Sequence, residues 1–557
     1  MTTVRPFSVR HRNAEIADAT AEPLDVLVIG AGATGAGVAL DAASRGLRVA
    51  VIDKGDLASG TSSKSSKLIH GGLRYLENYE LGLVHESVVE RRLLQELAPH
   101  LVRSMDFLYP LFPDTARLRL VGLGMTTYDV LAGFRNVRRH ERLSAAEAIA
   151  LAPALEHSGL LRAFVYGDCA TDDARLVLAV VQAARRYGAL TLTYTEARQL
   201  TFAGDGSVDG AELHDALTGA HYVIRARHVV NATGVWVDRL MGQEEPARRL
   251  AVQPSKGVHL VVPAERVPLA NASILLPSRQ GDGRSMFAIP WGRQTILGTT
   301  DTTYDGSLDA VTITAADVDY ILAAANALFR NALGVEDVVG AWAGTRPLLR
   351  QPDRPAASPS DMSRRHTLIE GRSGLLTITG GKLTTFRRMA KDVVDRVVER
   401  DGRRARCRTD EISLGGTRPY DEAVRDAVGA ARAVGLDAET AELAVRQHGD
   451  GAAAVLALAT QPGLDVVLSP AAAHIAAEVV HAARHEGAAT LDDVFSRRTR
   501  LSLRARDAAL PSAGLAAALL ATELGHDPAW AEEQVAAYAD AVRRERGVLG
   551  MTAEICA

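Results

Sequence analysis

Apolar residues are sparse over the first 23 positions and then cluster abruptly. Residues 25–30 (DVLVIG) form a short β-branched run, the pattern of a strand buried on both faces of a parallel sheet. Small residues follow over 33–45, with Gly46 placed to end a helix, and 48–53 (RVAVID) is a second strand-like run. Residues 25–53 therefore predict a compact βαβ unit. Runs at 228–231, 258–262 and 375–379 predict further strands, separated by helical patterns near 174–187 and 315–333. After about residue 410, alanine-rich amphipathic patterns punctuated by glycine replace most strand-like runs and predict a separate helical domain.

Composition narrows the functional classes. A chain of 557 residues corresponds to roughly three to four folding units at about 150 residues each, and 47% hydrophobic residues exclude disorder throughout. With 63 basic against 67 acidic residues, the chain lacks the basic footprint of a protein devoted to nucleic acid. Any charged partner must meet a local patch. The cysteines, Cys169, Cys407 and Cys556, form no C-x-x-C pair, so neither a disulfide framework nor a thiolate-rich metal site is expected. Residues 1–23 are charged without an apolar stretch, a poor signal peptide that is expected to be a mobile arm. No apolar run reaches the roughly 18 residues of a spanning helix. A cytoplasmic location is expected, compatible with attachment to a membrane surface.

Gly30-Ala31-Gly32-Ala33-Thr34-Gly35 matches G-x-G-x-x-G with a strand before it, a helix opening within it, and Asp53 eighteen residues past Gly35. The first glycine permits the tight turn, the second lets backbone approach a pyrophosphate, and the third lets helix and strand pack. The helix N-terminus offers free amides to the phosphates, and Asp53 can accept from ribose hydroxyls. FAD and NAD both use such a unit. Residues 60–75 favour FAD, because hydroxyls, glycines and cations, among them Thr61, Ser62, Leu68, His70, Gly71 and Gly72, continue where a ligand longer than ADP would extend. Nine of the 48 glycines fall within residues 25–72, where backbone must approach such a ligand. Asp168, Asp172, Asp173 and Arg175 read as an ion-pair and capping cluster.

The fingerprint, the SSKLIHGGLRYLE stretch, Asn231-Ala232-Thr233-Gly234-Val235-Trp236, Gly298-Thr299-Thr300-Asp301, Gly344-Thr345-Arg346-Pro347 and Gly380-Gly381-Lys382-Leu383-Thr384-Thr385 together resemble the FAD-dependent, respiratory glycerol-3-phosphate dehydrogenases of the D-amino-acid-oxidase-like superfamily. Arg497-Arg498-Thr499-Arg500-Leu501 resembles a recurring stretch of that family's helical C-terminal domain. The resemblance implies an α/β fold with a Rossmann-like FAD-binding domain from 24–110, 165–255 and 344–400. It further implies an inserted mixed-sheet substrate domain from 111–164 and 256–343, and an all-helical C-terminal domain from 410–557. Lys54, Gly234, Trp236, Gly381, Lys382, Leu383 and Thr384 join the cofactor set, and Arg74, Arg346 and Lys382 become the cations for a phosphate dianion, with Tyr75 as a further donor.

Oxidising a secondary alcohol with a flavin moves a hydride from carbon while the hydroxyl loses its proton, so the site needs a base. His259 is the leading candidate, although its alternation with Val258 and Leu260 equally suits a buried structural histidine; His70 is its competitor. Gly380-Gly381 and the amphipathic pattern after it predict a helix beginning near the flavin, whose N-terminus and Lys382 would stabilise negative charge on the reduced ring. The family passes electrons to a membrane quinone. From 117 to 142, six arginines against two acids flank an apolar stretch, the pattern of an interfacial helix meeting an anionic membrane surface. A homodimer is expected, with the helical domain a candidate for dimerisation or docking. Two other readings stay open: a soluble oxidase of glycerol 3-phosphate that uses oxygen, and a non-catalytic flavin-binding regulator.

Overall fold

A computed structural model describes residues 5–76, 80–113, 118–133, 136–245, 251–277, 285–350, 362, 364–504 and 507–549, without the side chains of Arg74 and residues 118–120. Among the described residues, two large sheets organise the chain. The first has eight strands. Leu24–Ile29 lies inside it, parallel to Val49–Ile52 on one side and to His221–Asn231 on the other. Leu376–Gly380 and Leu190–Leu192 extend the parallel order outward, and the hairpin Thr195–Phe202 and Val208–Asp215 continues antiparallel from His221–Asn231. Val26 and Val28 pack toward the helices Ala33–Ser44, Asp173–Arg186 and Phe386–Arg400, whereas Leu27 and Ile29 pack toward the hairpin. Burial on both faces explains the unbroken apolar run in this strand.

The second sheet has ten strands, mostly antiparallel, with Val252–Pro263 held between Gln294–Gly298 and Gly340–Leu349. Val258, Leu260 and Val262 share a core with the helix Ala315–Asn326. Strand alternation then sends His259 to the opposite face. The expected domain limits shift here. Arg103–Leu111, Arg162–Ala170 and Gly340–Leu349 all hydrogen-bond within this second sheet, so boundaries expected at 110, 165 and 344 fall inside or beside its strands. Partner choice assigns a strand to a sheet, and that choice is non-local.

The described part of the N-terminal segment is docked rather than mobile. Helix Arg12–Ala21 lies against the first sheet, with Arg12 Nε 2.8 Å from Asp215 and Arg12 Nη2 2.6 Å from Thr195 Oγ1. Glu15 accepts from Arg185 at 2.6 Å. Removing either buried partner would strand a charge, which is costly.

The C-terminal domain is helical, with one addition among the described residues: the short hairpin Val467–Ser469 and Ala472–Ile475. It docks beneath the loop that follows Val49–Ile52, where Arg498 donates to both Asp56 oxygens at 2.6 and 2.9 Å and Arg497 Nε donates at 2.5 Å. Arg175 reaches from the first domain to Glu486 at 2.8 Å and to Nδ1 of His448 at 3.0 Å, supplying the positive charge among His448, His481 and Glu486. Asp172 caps helix Asp173–Arg186 by accepting from the Arg175 amide, as expected of this cluster. Among the described residues, no helix is long and apolar enough to cross a membrane.

Candidate active site

A continuous cavity of about 450 Å³ runs past the carboxyl ends of the first sheet's parallel strands and onto the His259 face of the second sheet. Gly30, Gly32, Ala33 and Thr34 line one end, where Leu24–Ile29 turns into helix Ala33–Ser44. Gly30 has φ +105°, and a Cβ on Gly35 would stand 1.8 Å from the Gly30 carbonyl oxygen, so only glycine allows this turn and this helix–strand approach. No side chain caps the helix from Gly32; Ser62 Oγ takes the Ala33 amide at 2.9 Å. The rest of this helix N-terminus opens toward the cavity as a site for anions.

Asp53 ends the neighbouring strand and accepts from Ala31 N at 2.7 Å and Gly55 N at 3.0 Å. Burial pushes its carboxyl up to about 6 against the pull of those amides. Lys54 Nζ lies 4.1 Å over the Trp236 ring and pairs with Asp309, and Gly234 lines the adjoining wall. Thr61 donates to the Thr345 carbonyl at 2.6 Å, tying the segment after Gly60 to the second sheet. Leu68, His70, Gly381, Leu383 and Thr384 line the middle of the cavity, where the Thr384 hydroxyl bridges the His70 amide and carbonyl at 3.2 Å each. Burial, reinforced by Lys382, lowers the His70 imidazole to about 4, so it is neutral at pH 7.

Four expected cofactor residues do not line the cavity: Ala31, Gly35, Gly71 and Gly72. Ala31 and Gly35 build the turn from behind. The Gly71 amide donates to Asp168 at 3.1 Å, and Gly72 packs against the Tyr75 ring, so both shape the wall from its far side. The Arg74 side chain lies outside the described residues.

At the far end, chemistry-bearing groups converge. His259 sits across from Gly298 and Trp342 in the strand register and stacks on the Trp342 ring at 4.9 Å, 17° from parallel. Its Nε2 lies 2.8 Å from Ser66 Oγ, and its buried Nδ1 has no hydrogen-bond partner. Burial, with Arg346 and Lys67 nearby, holds the imidazole well below its usual value, so the neutral, proton-accepting form prevails. Arg346 passes over Gly257, where a Cβ would come within 2.5 Å of its guanidinium. It donates to Thr299 Oγ1 at 3.1 Å and pairs with Asp301 at 3.2 Å. Arg364 reaches the same carboxylate at 3.3 Å and lines the cavity beside Arg346. Lys382 Nζ is buried, without a hydrogen-bond partner, and stands 4.6 Å over the Tyr75 ring. Burial brings its ammonium down to about 7.

Two of these groups escape a sequence reading. Arg364 belongs to no motif and reaches the site only because the fold returns its segment over Asp301. Ser66 stands within a conspicuous hydroxyl run, but its pairing with His259, 193 positions away, depends on how two domains meet.

The arrangement fits an FAD. The glycine turn and open helix N-terminus suit a pyrophosphate, Asp53 suits a ribose, and the unpartnered Lys382 ammonium suits the electron-rich edge of a flavin or an anionic substrate above it. Residues 25–387 match the family model described as FAD dependent oxidoreductase, and 407–533 match the one described as C-terminal domain of alpha-glycerophosphate oxidase. Glycerol-3-phosphate dehydrogenase 2 of Mycobacterium tuberculosis is 39% identical over 527 residues, 94% of this chain and 89% of the relative. Aerobic glycerol-3-phosphate dehydrogenase of Staphylococcus aureus is 37% identical over 439 residues, 76% and 78% of the respective chains. The glycerol-3-phosphate dehydrogenase of Bacillus halodurans, solved complexed with FAD, superposes with TM-score 0.78 at 30% identity, covering 99% of this chain and all of that one. A site built for a flavin dinucleotide, on a chain matched along nearly its whole length, places this protein in the FAD-dependent glycerol-3-phosphate dehydrogenase family.

Proposed function

We propose that this chain oxidises sn-glycerol 3-phosphate to dihydroxyacetone phosphate, with FAD as hydride acceptor, and that the electrons pass on to a membrane quinone. The observation that carries the reading is the convergence of Arg346, Arg364 and Lys382 beside a neutral histidine at the flavin end of the cavity. Arg346 and Arg364 share the Asp301 carboxylate, and a protonated Lys382 adds a third cation to the same cavity, a set suited to a phosphate dianion. The arginines offer planar donor pairs to phosphate oxygens. Nε2 of His259 receives the hydroxyl proton through Ser66 Oγ, 2.8 Å away, which takes the proton from the substrate as it passes its own to the imidazole. A bound phosphate offsets Arg346, one of the cations that weaken this base, so substrate binding strengthens it. FAD supplies the two-electron acceptor for the hydride leaving C2.

The charge state of Lys382 sets a pH dependence. Its ammonium in the free protein loses its proton near 7, and a bound dianion favours the protonated form, so binding takes up a proton above that pH. The KM for glycerol 3-phosphate should rise by up to about tenfold per pH unit between about pH 7 and 9. Steady-state kinetics across that range checks this, and a flat KM contradicts it.

For the acceptor, the helix Leu118–Leu131 supports peripheral attachment to the cytoplasmic face of a membrane. Met125 and Tyr128 anchor it in the core while Leu123 and Val130 stay exposed, at 65% and 52%. The basic flank contributes less than its charge count suggests. Arg138 pairs with Asp106 at the protein surface and with Glu141, and Arg142 lies 5.9 Å over the Phe164 ring; Arg117 and Arg135 lie outside the described residues. Leu123→Glu with Val130→Glu should therefore reduce sedimentation with anionic vesicles several-fold, while neutralising Arg138 alone should change it little. Retention of the glutamate variant at wild-type levels would discard this helix as the anchor.

The reading as a whole is tested by product and acceptor together. Dihydroxyacetone phosphate should form from glycerol 3-phosphate at a rate raised at least about tenfold by a short-chain quinone analogue. Stoichiometric peroxide with no gain from the quinone would make the protein an oxidase; no product with any acceptor would leave a flavin-binding regulator.

A further inference from the structure

Asp56 and Glu486, held by Arg497, Arg498 and Arg175, already fasten the C-terminal domain. Arg500 reaches past these contacts toward the active site. It is fully buried and adopts φ +63°, a left-handed conformation that disfavours a residue with a Cβ. Its guanidinium donates to Asp172 at 3.1 Å, to the Ser63 carbonyl at 3.4 Å and to Asp173. Asp173, also fully buried, organises the cavity segment: it accepts from the Ser65 amide at 3.0 Å, the Ser65 hydroxyl at 2.7 Å and Lys67 Nζ at 3.0 Å. Lys67 takes the same unusual backbone conformation, φ +57°. Both cations that meet this carboxylate thus carry backbone strain, which persists only where surrounding contacts over-determine it.

Two paths lead from that carboxylate to His259. Ser66, between the two residues Asp173 holds, turns the other way and places its hydroxyl 2.8 Å from Nε2. Lys67 lies 4.6 Å over the Trp342 ring, on whose surface the imidazole stacks. We propose that Arg500 is a positioning residue for the oxidation: through Asp173 it fixes residues 63–67, so that Ser66 holds the His259 ring in place. The C-terminal domain is then a working part of the active site as well as a docked module. This rests on the reading of His259 as proton acceptor.

The test uses the full-length holoprotein with the variants Arg500→Gln, Arg500→Lys, Ser66→Ala, His259→Gln and the pair Arg500→Gln with Ser66→Ala. Flavin content and thermal midpoint are read beside kcat, KM and the isotope effect on kcat with substrate deuterated at C2. Arg500→Gln and Ser66→Ala should each lower kcat about ten- to hundredfold, leave KM within about threefold, and unmask a larger isotope effect. The double variant should be no slower than about threefold below the worse single one, because both break one path. Arg500→Lys should recover part of the rate. If Arg500→Gln fails to fold or to hold flavin, Arg500→Lys combined with Ser66→Ala carries the same comparison. Unchanged kcat in both single variants, or losses that simply multiply, would overturn the proposal. His259→Gln separates the two levels: its kcat should fall at least about a hundredfold. An intact kcat there overturns the histidine reading itself, whereas a damaged kcat with Arg500 and Ser66 acting independently overturns only the positioning role.

Discussion

Gly32→Val should yield a folded but colourless protein. Gly32 has φ −74°, an ordinary value for valine, and a Cβ there would meet the Ser62 side chain, whose Oγ at 3.0 Å needs to give by a few tenths of an ångström. The polypeptide can accommodate the change. A pyrophosphate cannot, because it must come against the backbone at that point. Gly35 makes a useful contrast: its Cβ would collide with the Gly30 carbonyl, so Gly35→Val should damage folding as well as binding. Flavin absorbance, circular dichroism and the thermal midpoint of the purified proteins distinguish these outcomes. A yellow, flavin-replete Gly32→Val protein would remove the glycine turn from the cofactor site.

Arg346→Ala should lose substrate while keeping flavin. The arginine is held on Thr299 and Asp301 and is partly accessible to the cavity, at 22% for its side chain. Its loss removes a planar donor pair and leaves the Asp301 carboxylate with one arginine fewer, so a phosphate would meet less positive charge. Charge-assisted contacts of this kind are worth about 1.5–3 kcal/mol each, so losing both contacts of the pair corresponds to a fall in kcat/KM of roughly a hundredfold or more. Most of the fall should appear in KM, since the proposed contact is to the phosphate and not to the reacting carbon. Arg346→Lys should recover part of it. An unchanged KM at full flavin occupancy would contradict the assignment.

Local features were the legible ones. The βαβ unit declared itself because its strand, turn and helix are contiguous, and the observed helix Ala33–Ser44 stops just before Gly46, at φ +81°, as its spacing implied. The helix at Phe386–Arg400 begins after Lys382 for the same reason. Features that long-range pairing decides leave no local mark. Arg12 and Glu15 look like solvated charges until Asp215 and Arg185 meet them, which turns an apparent arm into a docked helix. Strands such as Gly340–Leu349 carry no mark of the sheet they join. In the site, Arg346 and Lys382 stood out within glycine-rich motifs, whereas Arg364 is one arginine among many until Asp301 draws it in. His259 kept its two readings because the alternating pattern shows that it faces away from Val258 and Leu260 but not what lies on that side. On that side lie Ser66 and the cavity.

The central claim is that the groups gathered around the cavity make bound FAD a hydride acceptor for glycerol 3-phosphate. Anaerobic titration of the purified holoprotein with sn-glycerol 3-phosphate, followed by flavin absorbance, tests it most directly. The oxidised flavin band should bleach in the wild type, with dihydroxyacetone phosphate appearing in proportion, and Arg346→Ala should need far more substrate to reach the same end point. A flavin that stays oxidised at saturating substrate, yet bleaches with dithionite, would contradict the account.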